Sequence, residues 1–132
     1  MSQLILLDTS VWIEVFRGHH PLHLEEIVEF DQIVTCLPVI QEVLQGFRDE
    51  RAFHIARDAM LALPTIESPL GIFVVEEAVG LYRTARRQGL TIRSSVDCLI
   101  AACALRHGLA VLHRDRDYPQ LAKVSALQQR NV

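Results

Sequence analysis

The chain has 132 residues, half of them apolar, which is the size of one ordinary domain with a single buried core. Its formal net charge of -3 does not favour a nucleic-acid binder, because attraction to phosphate favours a basic chain. No segment approaches the roughly 18 uninterrupted apolar residues of a membrane span, and the first ten residues lack the basic flank of a secretory signal. A single domain spanning 1–132, cytoplasmic and without membrane contact, is therefore predicted.

The three cysteines form no disulfide framework or metal site in this interpretation. Cys36, Cys98 and Cys103 are odd in number and lack metal-ligand spacing. Two of them have apolar neighbours, and all three are predicted to be small core residues.

The first apolar segment, Leu4 to Leu7, is short and continuous and is followed by polar residues. This pattern predicts a strand that is buried on both faces of a parallel sheet. The elements predicted after it are, in order, a helix over about 10–17 ended by Gly18 and Pro21, a short helix over 22–30 and a second strand over 32–36.

Four longer helical patterns follow. The first begins at Pro38 and presents the apolar face Val39, Ile40, Val43, Leu44 and Phe47, with Glu42 at its edge. The second covers 50–63 and buries Phe53, Ala56, Met60 and Leu63. The third covers 74–88 and buries Val75, Ala78, Val79, Tyr82 and Ala85, with Gly89 after its end. The fourth is capped by Ser94 or Ser95, buries Val96, Leu99, Ile100, Cys103 and Ala104, and ends at Gly108.

Two short strands are predicted near the end of the chain, over 109–112 and 124–127. Short strands that alternate with helices indicate an α/β domain with a mostly parallel sheet, because parallel strands need crossover connections.

Acidic residues recur where ligands bind in such a sheet, at the carboxyl ends of the strands. Asp8 follows the first strand, and Asp115 with Asp117 follows the strand over 109–112. Glu42 and Asp97 lie in opening turns of helices, which begin at the same edge. Each aspartate alone is explained equally well as a helix cap, a dipole partner or a turn residue. Glu42 differs because it lies inside a helix at the border of the apolar face, where its alternative explanation is a solvated boundary position. Their joint occurrence at one edge predicts that they converge.

Converging carboxylates repel one another and call for a compensating cation. Oxygen ligands without paired histidines or cysteines favour Mg²⁺ or Mn²⁺ over zinc. Such a site activates water and stabilises charge on a phosphate, so phosphodiester hydrolysis is the predicted chemistry. The histidines carry less information. His113 lies beside the acidic turn and is interpreted as a neutral surface or half-buried residue rather than a general base. His19, His20 and His23 form a loop cluster that is interpreted as solvated, with a chance metal site as the minor alternative.

Three segments carry a resemblance to a known family: LILLDTSVWIEVF at 4–16, PVIQEVLQG at 38–46, and RSSVDCLIAACALRHGLAVLHRDRDYPQLA at 93–122. In their order and spacing they resemble the PIN-domain ribonucleases and, within that family, the VapC-type toxins of toxin–antitoxin pairs. The resemblance implies a PIN-like three-layer α/β/α sandwich with a central, mostly parallel sheet.

The resemblance also implies roles for particular residues. Asp8, Glu42, Asp97 and Asp115 would form an acidic quartet that binds Mg²⁺ or Mn²⁺, and Asp117 matches a fifth, supporting acidic position. Ser10 matches a hydroxyl that orients the first aspartate, and Thr9 is a weaker candidate for the same role.

The activity implied by the resemblance is endoribonuclease cleavage of structured transfer or ribosomal RNA, which stops translation. The implied partners are the RNA, a second copy of the chain and a cognate VapB-type antitoxin, which would form a hetero-oligomer with the toxin and use apolar grooves beside the amino-terminal helices. Twelve of the 13 basic residues are arginine. The candidates for RNA contact, each explained equally well as a solvated charge, are Arg86, Arg87, Arg93, Arg114 and Arg116.

Two other functions compete with this interpretation. One is a catalytically silent PIN-fold binding module, against which the intact quartet argues. The other is a phosphoryl-transfer domain of the phosphatase or receiver type. The phosphatase pattern needs an aspartate where Ser10 stands, and the receiver pattern needs a lysine at a late strand end, whereas Lys123 is the only lysine and lies beyond the acidic turn.

Overall fold

The computed structural model describes residues 3–16 and 22–132. Its strands are β1 (Ile5–Leu7), β2 (Ile33–Cys36), β3 (Thr65–Ile66), β4 (Ala110–His113) and β5 (Gln129–Asn131). Its helices are α1 (Thr9–Phe16), α2 (Leu37–Gln45), α3 (Glu50–Leu61), α4 (Ile72–Arg87), α5 (Ser95–His107) and α6 (Asp117–Ala122). The five strands form one sheet in the order β3-β2-β1-β4-β5, and every pairing is parallel. The predicted α/β fold with a parallel sheet flanked by helices is confirmed.

β1 lies in the middle of the sheet, and its position determines where Asp8 lies. Leu6 and Leu7 are fully buried, as the continuous apolar run predicted. Leu7 pairs with Leu112 of β4, and the backbone N–H of Asp8 donates to the Leu112 carbonyl at 2.9 Å. Asp8 is therefore held at the carboxyl end of the central strand, next to the end of β4.

α5 is buried around most of its circumference, since Asp97, Cys98 and the run 100–104 are all buried. Its carboxyl end is at Gly108, which has a left-handed φ of 64° that suits glycine. Ser94 is the N-cap residue, but its side chain makes no capping hydrogen bond. The three cysteines are buried and free, as predicted.

The predicted buried stripe of α4 is wrong in part. Ala78 and Ala85 are buried, but the other core positions are Val74 and Leu81. Val75 and Val79 are 38% and 52% exposed. The sequence is apolar on two adjoining sides of this helix, so the helical period fits both stripes and cannot tell which one faces the core.

Two other predicted elements are corrected. Instead of a helix over 22–30, the chain forms two 3₁₀ turns, Leu24–Glu26 and Phe30–Gln32. The last strand lies at Gln129–Asn131 rather than 124–127, and its polar residues pair with β4 through the backbone, which leaves no side-chain pattern to read. Gly18, Pro21, His19 and His20 lie outside the described residues. His23 is exposed and contacts Glu25 at 3.5 Å, consistent with a solvated residue.

Within the described ranges, no helix combines the length and the apolar character needed to cross a membrane.

Candidate metal centre

Three aspartates from separate parts of the chain meet at one point. Asp8 follows β1, Asp97 lies in the first turn of α5, and Asp115 lies in the loop between β4 and α6. One carboxylate oxygen from each lies within 4.8 Å of the other two. Asp8 and Asp97 are buried, and Asp115 is half-buried. The convergence predicted for the acids is therefore present for these three.

Both oxygens of the Asp8 carboxylate accept hydrogen bonds. Oδ2 accepts the backbone N–H of Ser10 at 3.0 Å and also its hydroxyl, while Oδ1 accepts the hydroxyl of Tyr118. The Ser10 Oγ in turn accepts the backbone N–H of Arg114 at 2.9 Å. Ser10 thus ties Asp8 to the loop that carries Asp115.

Asp97 is the acid with the least compensation. Its Oδ2 is buried and has no hydrogen-bond partner among the described residues. Burial first, then the neighbouring Asp117 and the charges of Asp8 and Asp115, together raise the pKa of Asp97 to about 9. A cation would supply both the missing partner for Oδ2 and the missing positive charge.

Asp115 is held by its own loop. Its Oδ1 accepts the backbone N–H of Asp117 at 2.9 Å, and its backbone N–H donates to Nδ1 of His113 at 3.1 Å. Because Nδ1 accepts, Nε2 carries the proton and donates to Oε1 of Gln129 at 2.6 Å. His113 is fully buried, whereas the sequence interpretation expected a surface or half-buried residue.

Glu42 stands apart from the three aspartates. It lies on α2, is half-buried, and its Oε1 accepts the hydroxyl of Thr9 at 2.8 Å. Its oxygens are outside the group of three that the described residues form. The hydroxyls of Thr9 and Ser10 therefore contact different acids. Ser10 contacts Asp8, as the resemblance implied, whereas Thr9 contacts Glu42.

Asp117 supports the start of α5. It is buried, and its two carboxylate oxygens accept the backbone N–H groups of Arg93 and Ser94, each at 2.9 Å. These N–H groups immediately precede the helix on which Asp97 lies. Through them, Asp117 holds the turn that presents Asp97.

The five candidate arginines are exposed and lie in two places. Arg114 and Arg116 flank Asp115 in the chain, and Arg93 precedes α5, where its backbone N–H donates to Asp117. Arg114 also contacts Glu14 at 3.6 Å and the Val132 carbonyl at 2.8 Å. Arg86 and Arg87 are at the carboxyl end of α4.

Tyr118 is the residue of this site that the sequence interpretation missed. Its side chain is fully buried, and its hydroxyl contacts Asp8 and lies 3.4 Å from Oδ1 of Asp97. Burial and the charge of Asp8 raise the pKa of Tyr118, so the hydroxyl keeps its proton and can donate. The residue lies inside the RDRDY segment. However, no periodicity or spacing in the sequence distinguishes a tyrosine whose hydroxyl contacts a metal-binding carboxylate from a tyrosine that only packs in the core.

The ligand atoms fit a hard divalent cation. They are carboxylate oxygens only, and one of them, Asp97 Oδ2, is buried without a partner among the described residues. Buried acids this close to one another need positive charge to ionise together.

Comparison with known proteins agrees with this geometry. A model of the PIN domain family matches residues 5–124. Ribonuclease VapC11 of Mycobacterium tuberculosis is 38% identical over 130 residues, which cover 95% of this chain and 96% of that protein. Two solved structures share the fold. VapBC-5 from Mycobacterium tuberculosis has a TM-score of 0.74 at 20% identity, covering 99% of this chain and 100% of the other. DNA-bound VapBC from Salmonella typhimurium has a TM-score of 0.76 at 15% identity, covering 98% of each chain.

The resemblance stated from the three sequence segments is thus confirmed over nearly the whole chain. The protein belongs to the PIN-domain family and, within it, to the VapC ribonucleases.

Proposed function

We propose that this chain is the toxin of a type II toxin–antitoxin pair and a metal-dependent endoribonuclease that acts in the cytoplasm on structured transfer or ribosomal RNA. The observation that carries the proposal is the meeting of Asp8, Asp97 and Asp115 within 4.8 Å, with one buried oxygen left unpartnered among the described residues. Mg²⁺ or Mn²⁺ suits this ligand set.

The three aspartates would hold the cation, with Glu42 on the neighbouring helix as the fourth acid of the quartet. When bound, the cation supplies charge stabilisation for the cleaved phosphate and activation of the attacking water. The surrounding residues hold the acids in place. Ser10 and Tyr118 fix Asp8. The carboxylate of Asp117 holds the start of α5, on which Asp97 lies. The backbone N–H of Asp117 and the ring of His113 order the loop of Asp115.

The RNA would approach along the exposed arginines beside the acids. Arg93 and Arg116 are exposed and adjoin the loops that present Asp97 and Asp115. Arg114 is engaged by Glu14, so its contribution to phosphate binding is expected to be smaller. Because the whole chain carries a net charge of -3, attraction to RNA depends on where these arginines lie rather than on the total charge.

A VapB-type antitoxin would occupy the groove between α1 and α2. The groove has a volume of about 260 Å³ and is lined by Ile13, Phe16, Glu42, Val43, Gly46 and Phe47. Ile13 is exposed although its neighbours Val11 and Trp12 are buried. An amphipathic segment fits such a groove, and its proximity to Glu42 would place the antitoxin against the site.

The proposed homodimer would form through the exposed face of α4. Ile72 and Phe73 are 63% and 71% exposed, and Val79 is exposed in the middle of the helix. If the two-fold axis passes between residues 79 and 80, Glu76 and Arg83 are equally far from it along the helix, on opposite sides. A two-fold, antiparallel pairing of two α4 helices would therefore set each Glu76 opposite Arg83 of the second copy.

The test is cleavage of total RNA and of isolated transfer and ribosomal RNA by the wild type and by Asp97→Asn. Cleavage is expected with Mg²⁺ or Mn²⁺, to stop with a chelator, and to fall roughly 100-fold or more in the variant, because the removed ligand is part of the metal site. Equal cleavage by both proteins would contradict the proposal, and so would the absence of cleavage across all these RNAs. Mapping the 5′ ends of the products would identify the target.

The catalytically silent alternative makes the opposite prediction. If the protein were a silent binding module, the wild type and Asp97→Asn would have the same effect on growth. Induced expression of the wild type is expected to arrest growth, and expression of Asp97→Asn is not. Where a VapB-type antitoxin is encoded next to the gene, its co-expression is expected to restore growth.

A further inference from the structure

Tyr118 contacts two of the three clustered aspartates from the core side. Its hydroxyl donates to Oδ1 of Asp8 and lies 3.4 Å from Oδ1 of Asp97. Its ring is fully buried and lies 4.9 Å, centroid to centroid, from the ring of His113, which supports Asp115. We propose that Tyr118 is a positioning residue of the metal site, whose hydroxyl fixes the Asp8 carboxylate in the orientation that binds the cation. This inference rests on the proposed metal-dependent function.

A hydroxyl in this position needs a reason, because packing alone does not require it. Phenylalanine would fill the same space in the core, and a buried hydroxyl is unfavourable unless it is hydrogen-bonded. The acceptors that the structure provides for the Tyr118 hydroxyl are the two carboxylates. The polar atom therefore acts on the acids and not on the packing of α6.

The two oxygens of Asp8 are held by different residues. Ser10 donates to Oδ2 through its backbone N–H and its hydroxyl, and Tyr118 donates to Oδ1. Rotation about the Cβ–Cγ bond moves both oxygens, so donors on both of them restrain the plane of the carboxylate more tightly than Ser10 alone. Each carboxylate oxygen has more than one acceptor site, so a bond to Tyr118 leaves room for a cation. Hydrogen bonds that orient a metal ligand in this way are typically worth about 10- to 100-fold in metal affinity.

Tyr118→Phe tests the inference, and Tyr82→Phe is the matched control. Tyr82 is the only other tyrosine in the chain and lies half-buried on α4, where its ring contacts Arg86. Calorimetric titration of the metal-stripped proteins with Mn²⁺ is expected to show an affinity about 10-fold weaker for Tyr118→Phe and unchanged for Tyr82→Phe. The Mn²⁺ concentration for half-maximal RNA cleavage is expected to rise by the same factor, while the KM for RNA stays the same.

The outcomes separate this inference from the metal site itself. Wild-type or tighter Mn²⁺ affinity in Tyr118→Phe overturns the positioning role. Unchanged Mn²⁺ affinity in Asp97→Asn instead overturns the proposed metal centre. If Tyr118→Phe melts at a lower temperature without metal, the titration is made well below that temperature, with the fold checked by circular dichroism.

A double-variant cycle gives a second readout that a purely structural role would not produce. Ser10 and Tyr118 act on the same carboxylate, so the effects of Ser10→Ala and Tyr118→Phe on Mn²⁺ affinity are expected to be non-additive. Additive effects would count against the proposal. Tyr82→Phe combined with Ser10→Ala is expected to match Ser10→Ala alone.

Discussion

Asp97 is the residue in which burial and charge conflict most strongly. It lies in the first turn of α5, buried, with Asp8, Asp115 and Asp117 around it and one oxygen without a partner among the described residues. Each of these features disfavours the ionised carboxylate. Without a cation, the site is therefore expected to hold Asp97 in its protonated form near neutral pH, and metal binding must displace that proton.

The first prediction concerns stability against pH in the metal-free protein. The pKa of Asp97 is raised from its ordinary value of 3.8 to about 9, so between these values the folded state binds a proton that the unfolded state does not. The stabilisation that results from this bound proton is complete below pH 3.8 and is lost as the pH rises towards 9. Urea unfolding in the presence of a chelator is expected to show the free energy of unfolding falling across this window in the wild type.

Asp97→Asn is expected to flatten that dependence, because the amide does not titrate. Asp58→Asn, on the exposed face of α3, is the matched control and should keep the wild-type slope. A wild-type slope in Asp97→Asn would mean that the titrating group is elsewhere.

The start of α5 shows how one element positions another. Asp117, the first residue of α6, accepts two backbone N–H groups that precede α5. Such charge-assisted bonds to backbone donors are among the stronger hydrogen bonds in proteins. The two aspartates near this point therefore have different roles. Among the described residues, one oxygen of Asp97 has no hydrogen-bond partner, whereas both oxygens of Asp117 accept a backbone N–H.

The second prediction separates these tasks. In Asp117→Asn the amide group can accept one of the two N–H groups but not both, so the free energy of unfolding is expected to fall by roughly 1.5–3 kcal/mol. The number of Mn²⁺ ions bound is expected to be unchanged. In Asp97→Asn the metal-free protein is expected to remain folded and to lose Mn²⁺ binding. Chemical denaturation and calorimetric titration of both variants measure the two effects; loss of Mn²⁺ from Asp117→Asn with stability retained would make Asp117 a ligand.

α4 carries apolar residues on two sides, and only one of them is in the core. Val74, Ala78, Leu81 and Ala85 face inward, which leaves Ile72, Phe73 and Val79 exposed. Exposed large apolar residues grouped on one helix favour an interface over a free surface. Glu76 lies in the first half of the helix and Arg83 in the second half. When two copies pair antiparallel, these opposite charges therefore face each other.

The third prediction tests that face by exchanging charges. Glu76→Arg and Arg83→Glu are each expected to weaken the dimer by at least about 10-fold, because every two-fold contact then brings like charges together. The double variant, with both changes in one chain, restores opposite charges and is expected to dimerise again. Sedimentation velocity over a range of concentrations measures the dissociation constants. Arg57→Glu on exposed α3 is the control, and failure of the double variant to recover would place the dimer elsewhere.

At the scale of the whole molecule, the parallel sheet is what brings the acids together. β1 and β4 are adjacent and parallel, so the residues that follow them, Asp8 and Asp115, leave the same edge side by side. α5 immediately precedes β4 in the chain and packs on it, which returns Asp97 to that edge. The site therefore forms only in the folded chain, because no single segment contains all three aspartates.

The fourth prediction follows from this dependence. A cation that binds only the folded protein stabilises it by about 2.7 kcal/mol at a concentration 100 times its dissociation constant. The melting temperature of the wild type is expected to rise with Mn²⁺ concentration, while that of Asp97→Asn is expected to stay constant. Sodium chloride at matched ionic strength controls for general screening. A rise of equal size in the variant would show binding away from the three aspartates.

Much of the fold was readable from local patterns. The run LILL predicted the buried strand ahead of Asp8, and Gly108 predicted the end of α5. Where local patterns were ambiguous, the predictions were wrong. The two apolar sides of α4 fit the same period, the residues 22–30 form two 3₁₀ turns, and the polar β5 pairs only through its backbone.

The sequence alone identified the acids of the site. It also placed them after strands or at the starts of helices, because strand ends and helix starts are local features. The tertiary structure decided which acids meet. It brought Asp8, Asp97 and Asp115 together, held Glu42 apart through Thr9, and engaged Asp117 with the backbone. It also placed the Tyr118 hydroxyl against Asp8. These outcomes depend on strand order and side-chain packing between segments up to 110 residues apart, which no local pattern encodes.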